Sequence, residues 1–381
     1  MRGEGEAKRE MRIGIVLLSV RMGGAERRLA TLAQYLADQG RNSYYLVAPD
    51  RLLRSLTQVG ILTGGGLELH PIGPDPGGEH LERLRGTYVT AFLAWRRLLR
   101  TALTEAQAVA PTDALHHLTP MSYFMAPLPL RARSVVEAVA TGESWHLELL
   151  LRQACESGAV VNCLSRPIQH ALARGLAPKV VRRLHVSPGS MLGTTDVDAV
   201  AKQRRVVLLG QLDEVKNPLL FIEAIGVVAR TQRDFRVSLF AEGALRDAVA
   251  ARVKALGLAD LVDWNRERRA TELFAESSIA VTLKTTDNFP SQSLLDAMMC
   301  RNAIVASDVG STHRLVTLDT GLLVPPDASA VAAAIASLLA QPARAQRMGE
   351  AARALVAREH RVEVYAEYIE RLYRGVAGGA A

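Results

Sequence analysis

The sequence predicts an α/β protein with two doubly wound, Rossmann-like parallel-sheet domains facing a central cleft. Three observations lead to this prediction. At 381 residues the chain exceeds the length at which one hydrophobic core usually keeps growing. Short apolar runs alternate with segments of helical periodicity, as in parallel sheets covered by helices. The alternation begins at Arg12 and begins again at Arg205, after a glycine-rich polar stretch, so we expect one such domain in each half.

The first half opens as a βαβ unit. An apolar run predicts a strand at residues 12–19, and Gly23-Gly24 follows it as a turn into a helix at 27–39. The remaining predicted strands of this half are 44–48, 114–118, 134–138 and 159–164, and the half closes near residues 184–190.

The second half repeats the pattern. Strands are predicted at 205–210, 236–240, 279–283, 303–307 and 321–324, and helices at 217–228, 244–256, 329–339 and 344–373, with one more helix around Asp296. In doubly wound sheets, ligands bind outside the carboxyl ends of the strands. The loops that follow these strands are therefore the places to look for a site.

Composition narrows the class of protein. Hydrophobic residues make up 49% of the chain and charged residues 22%, as in globular proteins, and no apolar run is long enough to span a bilayer. Residues 1–10 are too charged for a secretory signal, and the 3 cysteines show neither metal-ligand spacing nor an even count, which favours a reduced cytoplasmic protein. The net charge of +7 suits nucleic acid, an anionic membrane or a phosphate-bearing substrate. Nucleic acid is the weakest of these, because its motifs are missing and the arginines are scattered.

The segment 285–310 places an acid where an apolar helix should carry none. Asp296 lies among leucine, alanine and methionine, where a carboxylate is costly unless a partner compensates for its burial. Pro290 suits the first turn of a helix, so the free backbone N–H groups of residues 289–293 would face an anion. The segment is typical of a helix start built around a charged ligand. An ordinary strand–helix–strand unit with one edge acid fits the pattern about equally well.

Other candidate residues follow predicted strands. Gly23 and Gly24 let a phosphate or sugar approach a helix start, although a tight turn without a ligand is at least as common. Lys216 follows the strand-ending Gly210 and can reach a phosphate, but a solitary lysine is usually a solvated surface residue. Glu242 and Gly243 stand where backbone groups can hold the edge of a nucleobase, which is a weak signal in isolation.

Histidines and one basic helix supply further candidates. His116, His117 and His146 lie near predicted strand or helix ends; a lone histidine is more often structural, and His117 is kept as the catalytic candidate. Residues 88–103 combine Trp95 and leucines with Arg96, Arg97 and Arg100. Such a helix can lie on anionic lipid, with tryptophan at the interface, or can cover a sheet with its arginines in water.

Five motifs occur in an order and at intervals that fit one family. They are Gly23-Gly-Ala-Glu-Arg27, Gly210-Gln-Leu-Asp-Glu-Val-Lys-Asn217, Asn288-Phe-Pro-Ser-Gln-Ser-Leu-Leu-Asp296, Ala306-Ser-Asp-Val-Gly310 and Gly321-Leu-Leu-Val-Pro-Pro326. The set resembles the family-4 retaining glycosyltransferases of the GT-B fold, over residues 11–375. Each motif is loose, but five in register are specific.

The resemblance implies sugar transfer from a nucleotide diphosphate sugar with retention, without a metal or other cofactor. Lys216, Asp296 and His117 are the implied catalytic residues, with Lys216 on the diphosphate and Asp296 on the ribose. The implied donor-binding residues are Gly23, Gly24, Gln211, Lys216, Glu242, Gly243, Asp287, Asn288, Phe289, Pro290, Ser291 and Asp296. The partners are a nucleotide-sugar donor, a glycan or lipid-linked acceptor and the anionic face of a membrane, but no nucleic acid.

The resemblance also suggests domain boundaries. A disordered extension is expected at 1–10, an acceptor-side domain at 11–190, a linker at 191–202 and a nucleotide-sugar-binding domain at 203–355. Residues 356–381 are expected as a helix that crosses back to the first domain.

Three departures from the family pattern weaken the prediction of activity. Gln211 replaces an arginine, and Asn288 and Asp296 stand where the family has two glutamates, with Asp287 able to replace the first if the loop shifts by one residue. Arg301 replaces a glycine at the helix end and is a candidate for restoring the lost charge. Two functions remain: an active transferase, or a degenerate GT-B protein that binds nucleotide sugars weakly or serves as a partner subunit. A nucleotide-sugar epimerase is a more distant third.

Overall fold

The structure, a computed structural model, describes residues 9–19, 22–73, 88–139, 145–188, 200–265, 268–286, 289 and 291–378, with only the backbone at 88–91. Most of the expected extension and of the expected linker lies outside the described residues, as do Asp287, Asn288 and Pro290. The chain forms two compact units, Met1–Pro188 with Val362–Ala381, and Gly189–Arg361.

The first unit contains a parallel sheet, with seven strands in the described part of the chain, in the order β3-β2-β1-β4-β5-β6-β7. These strands are β1 (Arg12–Val16), β2 (Ser43–Pro49), β3 (Leu67–Ile72), β4 (Ala114–His117), β5 (Ser134–Ala138), β6 (Val160–Cys163) and β7 (Leu184–Val186). Strands β1, β4, β5 and β6 are buried along their whole length, because helices cover both faces of a parallel sheet.

The helices of this unit are α1 (Gly24–Asp38), α2 (Asp50–Gln58), α3 (Tyr88–Val109), α4 (Pro120–Met125), α5 (Leu128–Arg131), α6 (Trp145–Glu156), α7 (Arg166–Ala173) and α8 (Pro178–Val181). One core cluster joins α3 to β1, β2 and β4, and another joins α6 to β5 and β6.

The second unit contains a parallel sheet in the order β10-β9-β8-β11-β12-β13, six strands among the described residues. Its strands are β8 (Gln203–Leu208), β9 (Arg236–Phe240), β10 (Val262–Asn265), β11 (Ser277–Thr282), β12 (Ala303–Ser307) and β13 (Gly321–Val324). Its α-helices are α9 (Pro218–Ala229), α10 (Arg246–Ala255), α11 (Ala270–Glu276), α12 (Gln292–Met299), α13 (Ala328–Ala340) and α14 (Pro342–Glu359). The strand order reverses between β8 and β11, which makes this the topological switch point of the sheet.

The helical stretch predicted at 344–373 is two helices. Helix α14 ends at Glu359, and α15 (Val362–Ala377) begins after a break and belongs to the first unit. The expected last boundary, residue 356, lies inside α14, and the chain changes units at Val362 instead.

A buried polar network holds α15 against the first sheet. Its centre is Glu137 on β5, which is 1% exposed and accepts hydrogen bonds from Arg28 Nη2 at 2.6 Å and Asn162 Nδ2 at 2.8 Å. Tyr365 of α15 donates its hydroxyl to the same carboxylate at 3.2 Å and accepts from Arg28 Nη1 at 2.8 Å.

His116 extends this network to the far end of α15. Its Nε2 lies 2.9 Å from Glu137 Oε1, and its Nδ1 lies 2.7 Å from the hydroxyl of Tyr373. Burial by itself would raise the pKa of Glu137, but the charge of Arg28 and the hydrogen bond with His116 lower it overall. The carboxylate is therefore a charged anchor for the last helix.

Candidate active site

The best-supported candidate active site lies at the carboxyl edge of the second sheet, at the switch point between β8 and β11. The loop after β8 passes through Gly210 with φ +94°. A Cβ atom built on this glycine would lie 2.9 Å from Cε of Lys216. Glycine therefore allows the backbone to turn and leaves space for the Lys216 side chain to lie across the end of the strand.

Lys216 lies close to a second lysine, Lys284, which follows β11. Burial and, to a smaller extent, repulsion by Lys284 lower the pKa of Lys216 to about 8, although Asp213 opposes both effects. Both side chains are half-buried. Two neighbouring ammonium groups repel each other, and partial burial removes some of their solvation. An anionic ligand is favoured here because its charge offsets both the repulsion and the lost solvation.

The loop after β9 interlocks with the Lys216 loop. Leu212 donates its backbone N–H to the carbonyl of Glu242 at 2.7 Å, and Leu245 donates to the carbonyl of Leu212 at 2.8 Å. Gly243 has φ +130°, and a Cβ atom on it would lie 2.5 Å from the Leu212 nitrogen, so glycine is required there. Gln211 Nε2 donates to Glu242 Oε2 at 3.3 Å. The structure thus brings Gln211, Lys216, Glu242 and Gly243 together.

Helix α12 presents Asp296 at the same edge of the sheet. Its buried leucines and methionine pack in a core cluster, while Asp296 is half-buried and accepts a hydrogen bond from Gln292 Nε2 at 3.0 Å. Ser291 occupies the N-cap position without a side-chain capping hydrogen bond, and its Oγ lies 3.3 Å from that of Ser293. Helix α12 begins at Gln292, and Pro290, expected in the first turn, lies outside the described residues.

Phe289 anchors this loop with its ring. The side chain is 4% exposed, its ring centre lies 4.1 Å from Cζ of Arg314, and His360 meets it edge-on at 6.4 Å. The ring contacts fix the position of this loop next to the start of α12, and the expected role of the Phe289 backbone stays a prediction.

Sequence reasoning missed two polar residues at this edge, Lys284 and Ser307. Each ends or follows a buried strand, β11 and β12 respectively, and that position was the signal that could have identified them. Ser307 Oγ and Gln292 Oε1 are buried and have no hydrogen-bond partner among the described residues. Buried polar atoms in this condition favour a bound ligand with complementary groups.

Arg301 does not replace the positive charge that is lost because Gln211 stands where the family has an arginine. It follows the carboxyl end of α12, whereas the candidate site lies at the amino end of that helix, and its Nε donates to Glu350 Oε2 at 3.1 Å. Its φ of +60° explains why glycine suits this position.

In the first unit, Gly23 and Gly24 lie at the start of α1, as predicted. The backbone N–H of Gly23 donates to Glu26 Oε2 at 3.0 Å. The Glu26 carboxylate therefore occupies one of the N–H groups that an anion would use at this helix start.

His117, the implied catalytic histidine, is buried, and its catalytic role stays a prediction. The side chain is 0% exposed, with Nδ1 3.2 Å from Ser122 Oγ and Nε2 3.3 Å from Ser134 Oγ. Burial, reinforced by the charges of His116 and Arg131, lowers the pKa of His117 to about 3. The imidazole is therefore neutral, with one N–H to donate, and both of its nitrogens are within hydrogen-bond distance of serines of its own unit.

Comparisons with known proteins show what this chain is similar to. Residues 196–355 match the family model described as glycosyl transferases group 1. No curated protein matches the sequence.

Solved structures match almost the whole chain at low sequence identity. Alr3699/HepE from Anabaena, solved with UDP and glucose, is 17% identical with a TM-score of 0.71, covering 96% of this chain and 100% of its own. Sucrose-phosphate synthase from Thermosynechococcus elongatus is 18% identical with a TM-score of 0.72, covering 97% and 100%. A glycosyltransferase from Rickettsia africae is 14% identical with a TM-score of 0.70, covering 96% and 98%.

These matches confirm the predicted fold class and the family resemblance inferred from the five motifs. The chain has the GT-B fold, and its residues 196–355 are similar to the group 1 glycosyl transferases.

Proposed function

We propose that the protein transfers a sugar, of hexosyl type, from a nucleotide diphosphate sugar to an acceptor, with retention at the anomeric carbon. The pairing of Lys216 with Lys284 at the switch point carries the proposal. A diphosphate is the anion that this pair suits, and it becomes more negative as the glycosidic bond breaks. Cations fixed in advance beside it stabilise that charge without reorganisation. Alr3699/HepE, which has a similar fold, was solved with UDP-glucose.

Each residue of the site has a role under this proposal. Lys216 and Lys284 contact the diphosphate, together with the backbone N–H groups at the start of α12. Asp296, oriented by Gln292, accepts hydrogen bonds from the ribose hydroxyls. The Glu242–Gly243 loop contacts the base, and Gln211 reaches the donor while paired with Glu242. The lysines supply the positive charge for which other enzymes use a metal ion.

A panel of UDP-, GDP-, ADP- and dTDP-sugars, tested with EDTA present, checks the donor class. We expect one nucleotide sugar to raise the melting temperature in a saturable way and to be hydrolysed slowly without acceptor. NMR of the product checks retention, which requires the transferred sugar to have the same anomeric configuration as in the donor. If no donor stabilises the protein at about millimolar concentration, the non-catalytic partner subunit becomes the better description.

The affinity for UDP should fall at alkaline pH. The folded-state pKa of Lys216 lies near 8, below its ordinary value, so the free protein loses this proton first and must regain it when the diphosphate binds. We expect a nearly constant dissociation constant below pH 7 and a rise approaching about tenfold per unit above pH 8. Titration calorimetry at several pH values measures this.

The Lys216→Met variant serves as the control for that titration. It should bind weakly with a much shallower dependence on pH. An equally steep slope in this variant would assign the titration to another group.

We propose a lipid-linked or other glycan acceptor handled at the cytoplasmic face of an anionic membrane. Among the described residues, no helix combines the length and apolarity needed to cross a bilayer. Trp95, expected at the lipid interface, is 5% exposed and packs in the core instead. Leu93 of α3 and Trp145 of α6 are 51% and 69% exposed, and α3 and α6 both pack against α4. These side chains, with Arg96 and Arg97, are the better candidates for lipid contact.

Flotation with phosphatidylglycerol vesicles tests the membrane proposal. Because one arginine near an anionic surface contributes about 1 kcal/mol, changing Arg96 and Arg97 to glutamine should weaken binding at least about tenfold. Arg100 is left unchanged because its Nε donates to the Met125 carbonyl at 3.1 Å. The matched control is Arg54→Gln on α2. Equal flotation of all three proteins would reject the α3 surface.

A further inference from the structure

A cavity lies in the second unit, at the amino edge of its sheet. Its volume is about 490 Å³, within the range of small-molecule sites. Gln203, the first residue of β8, and Ser278, near the start of β11, lie in its wall. It is therefore at the opposite end of the strands from the candidate active site, and the diphosphate site proposed above does not include it.

Lys202 is the central polar group of this cavity. Its Nζ donates to the carbonyl of Phe274 at 3.0 Å and to that of Cys300 at 2.5 Å, in the last turn of α11 and just after α12. These two bonds offset the negative ends of both helices. An ammonium group has three donors, so one N–H of Lys202 remains for a ligand in the cavity that it lines.

Arg301 adds a second cation to the wall. Its φ of +60° is a conformation that glycine adopts without strain, yet the position carries a guanidinium group. The hydrogen bond of Nε to Glu350 orients that group. A Cβ atom on Gly349 would lie 2.2 Å from the Arg301 carbonyl, so α14 packs directly on this backbone and the wall is preformed.

The remaining wall is largely apolar. Leu338, Leu339 and Pro342 line the cavity, as does a third cation, Arg204, whose Nη1 donates to the Leu339 carbonyl at 2.8 Å. A ligand that suits this lining carries both an anionic group and an apolar body.

We propose that this cavity is a second ligand site, which takes a small molecule bearing a carboxylate or phosphate on an apolar body. The anionic group contacts Lys202 Nζ and the terminal nitrogens of Arg301, and the body packs against the leucines of α13. The site is independent of the proposed sugar transfer, since it uses none of the donor-binding residues.

Calorimetry with benzoate, phenyl phosphate, inorganic phosphate and benzyl alcohol tests the proposal. The measurements use the Lys216→Ala variant, so that phosphate binding at the active site does not contribute. We expect saturable binding of benzoate or phenyl phosphate at or below about 10 mM, and at least about tenfold weaker binding of benzyl alcohol and of inorganic phosphate. Whichever of the two anions binds more tightly identifies the preferred group.

Two added substitutions locate the binding. Lys202→Met and Arg301→Gly should each weaken it at least about tenfold, whereas Arg347→Ala, an exposed arginine on α14 outside the cavity, should leave it unchanged. Arg301→Gly relieves backbone strain, so it keeps the test valid if Lys202→Met folds poorly. No saturable binding of either anion, or equal binding by the parent and Arg301→Gly, would overturn the proposal. Failure of sugar transfer would not affect it.

Discussion

Replacing Lys216 with alanine is expected to lower the rate of sugar transfer by about a hundredfold to a thousandfold. The loss of one preorganised group that stabilises developing negative charge has this order of effect in enzymes. The melting temperature should stay the same or rise, because the variant removes a half-buried ammonium group repelled by Lys284. Initial rates with saturating acceptor, together with thermal denaturation, measure both quantities.

Lys254→Ala is the matched control for this substitution. Lys254 is an exposed lysine of α10 and should change neither the rate nor the melting temperature. If Lys216→Ala transfers sugar as fast as the parent while still folding, the active-site assignment is wrong.

Replacing Arg28 with methionine is expected to lower the free energy of unfolding by about 3–5 kcal/mol. The substitution leaves the Glu137 carboxylate at 1% exposure without the cation that compensates for its burial. Urea denaturation followed by circular dichroism measures the change. As the pKa of Glu137 is lowered in the folded protein, its stabilising contribution is complete above its ordinary pKa and is lost as the pH falls through the folded-state value.

The exposed pair of Arg233 and Asp260 provides the control for the buried one. Its atoms lie 2.7 Å apart, but both side chains are in water, and Arg233→Ala should cost at most about 1 kcal/mol. A double variant replaces both Arg28 and Glu137 with apolar residues. It should recover part of the lost stability because it leaves no unpaired buried charge at these two positions. Equal costs for Arg28→Met and Arg233→Ala would show that the network does not anchor α15.

Sequence patterns predicted the central strands and one edge strand, β13, and missed the edge strands β3, β7 and β10. The predictions at 236–240, 303–307 and 321–324 coincide with β9, β12 and β13, since buried parallel strands are continuous apolar runs. Strands β3 and β10 lie at the edges of their sheets, and polar residues alternate with apolar ones along both, so no continuous apolar run marks them. Pro71 in β3 is tolerated because an edge strand needs only one hydrogen-bonded side.

For the candidate site, the sequence by itself determined what depends on local order along the chain. The succession of strand, glycine turn and helix identified the loops that carry Lys216, Glu242 and Asp296, because all carboxyl ends of a parallel sheet meet at one edge.

Only the tertiary structure decided which side chains meet. The proximity of Lys216 and Lys284, the burial of His117 and the network around Glu137 join residues far apart in sequence. No periodicity encodes such pairs, since helix and strand periods report only which face of an element is buried. Burial and neighbouring charge, which set the chemistry of these groups, arise when the sheets and helices pack together.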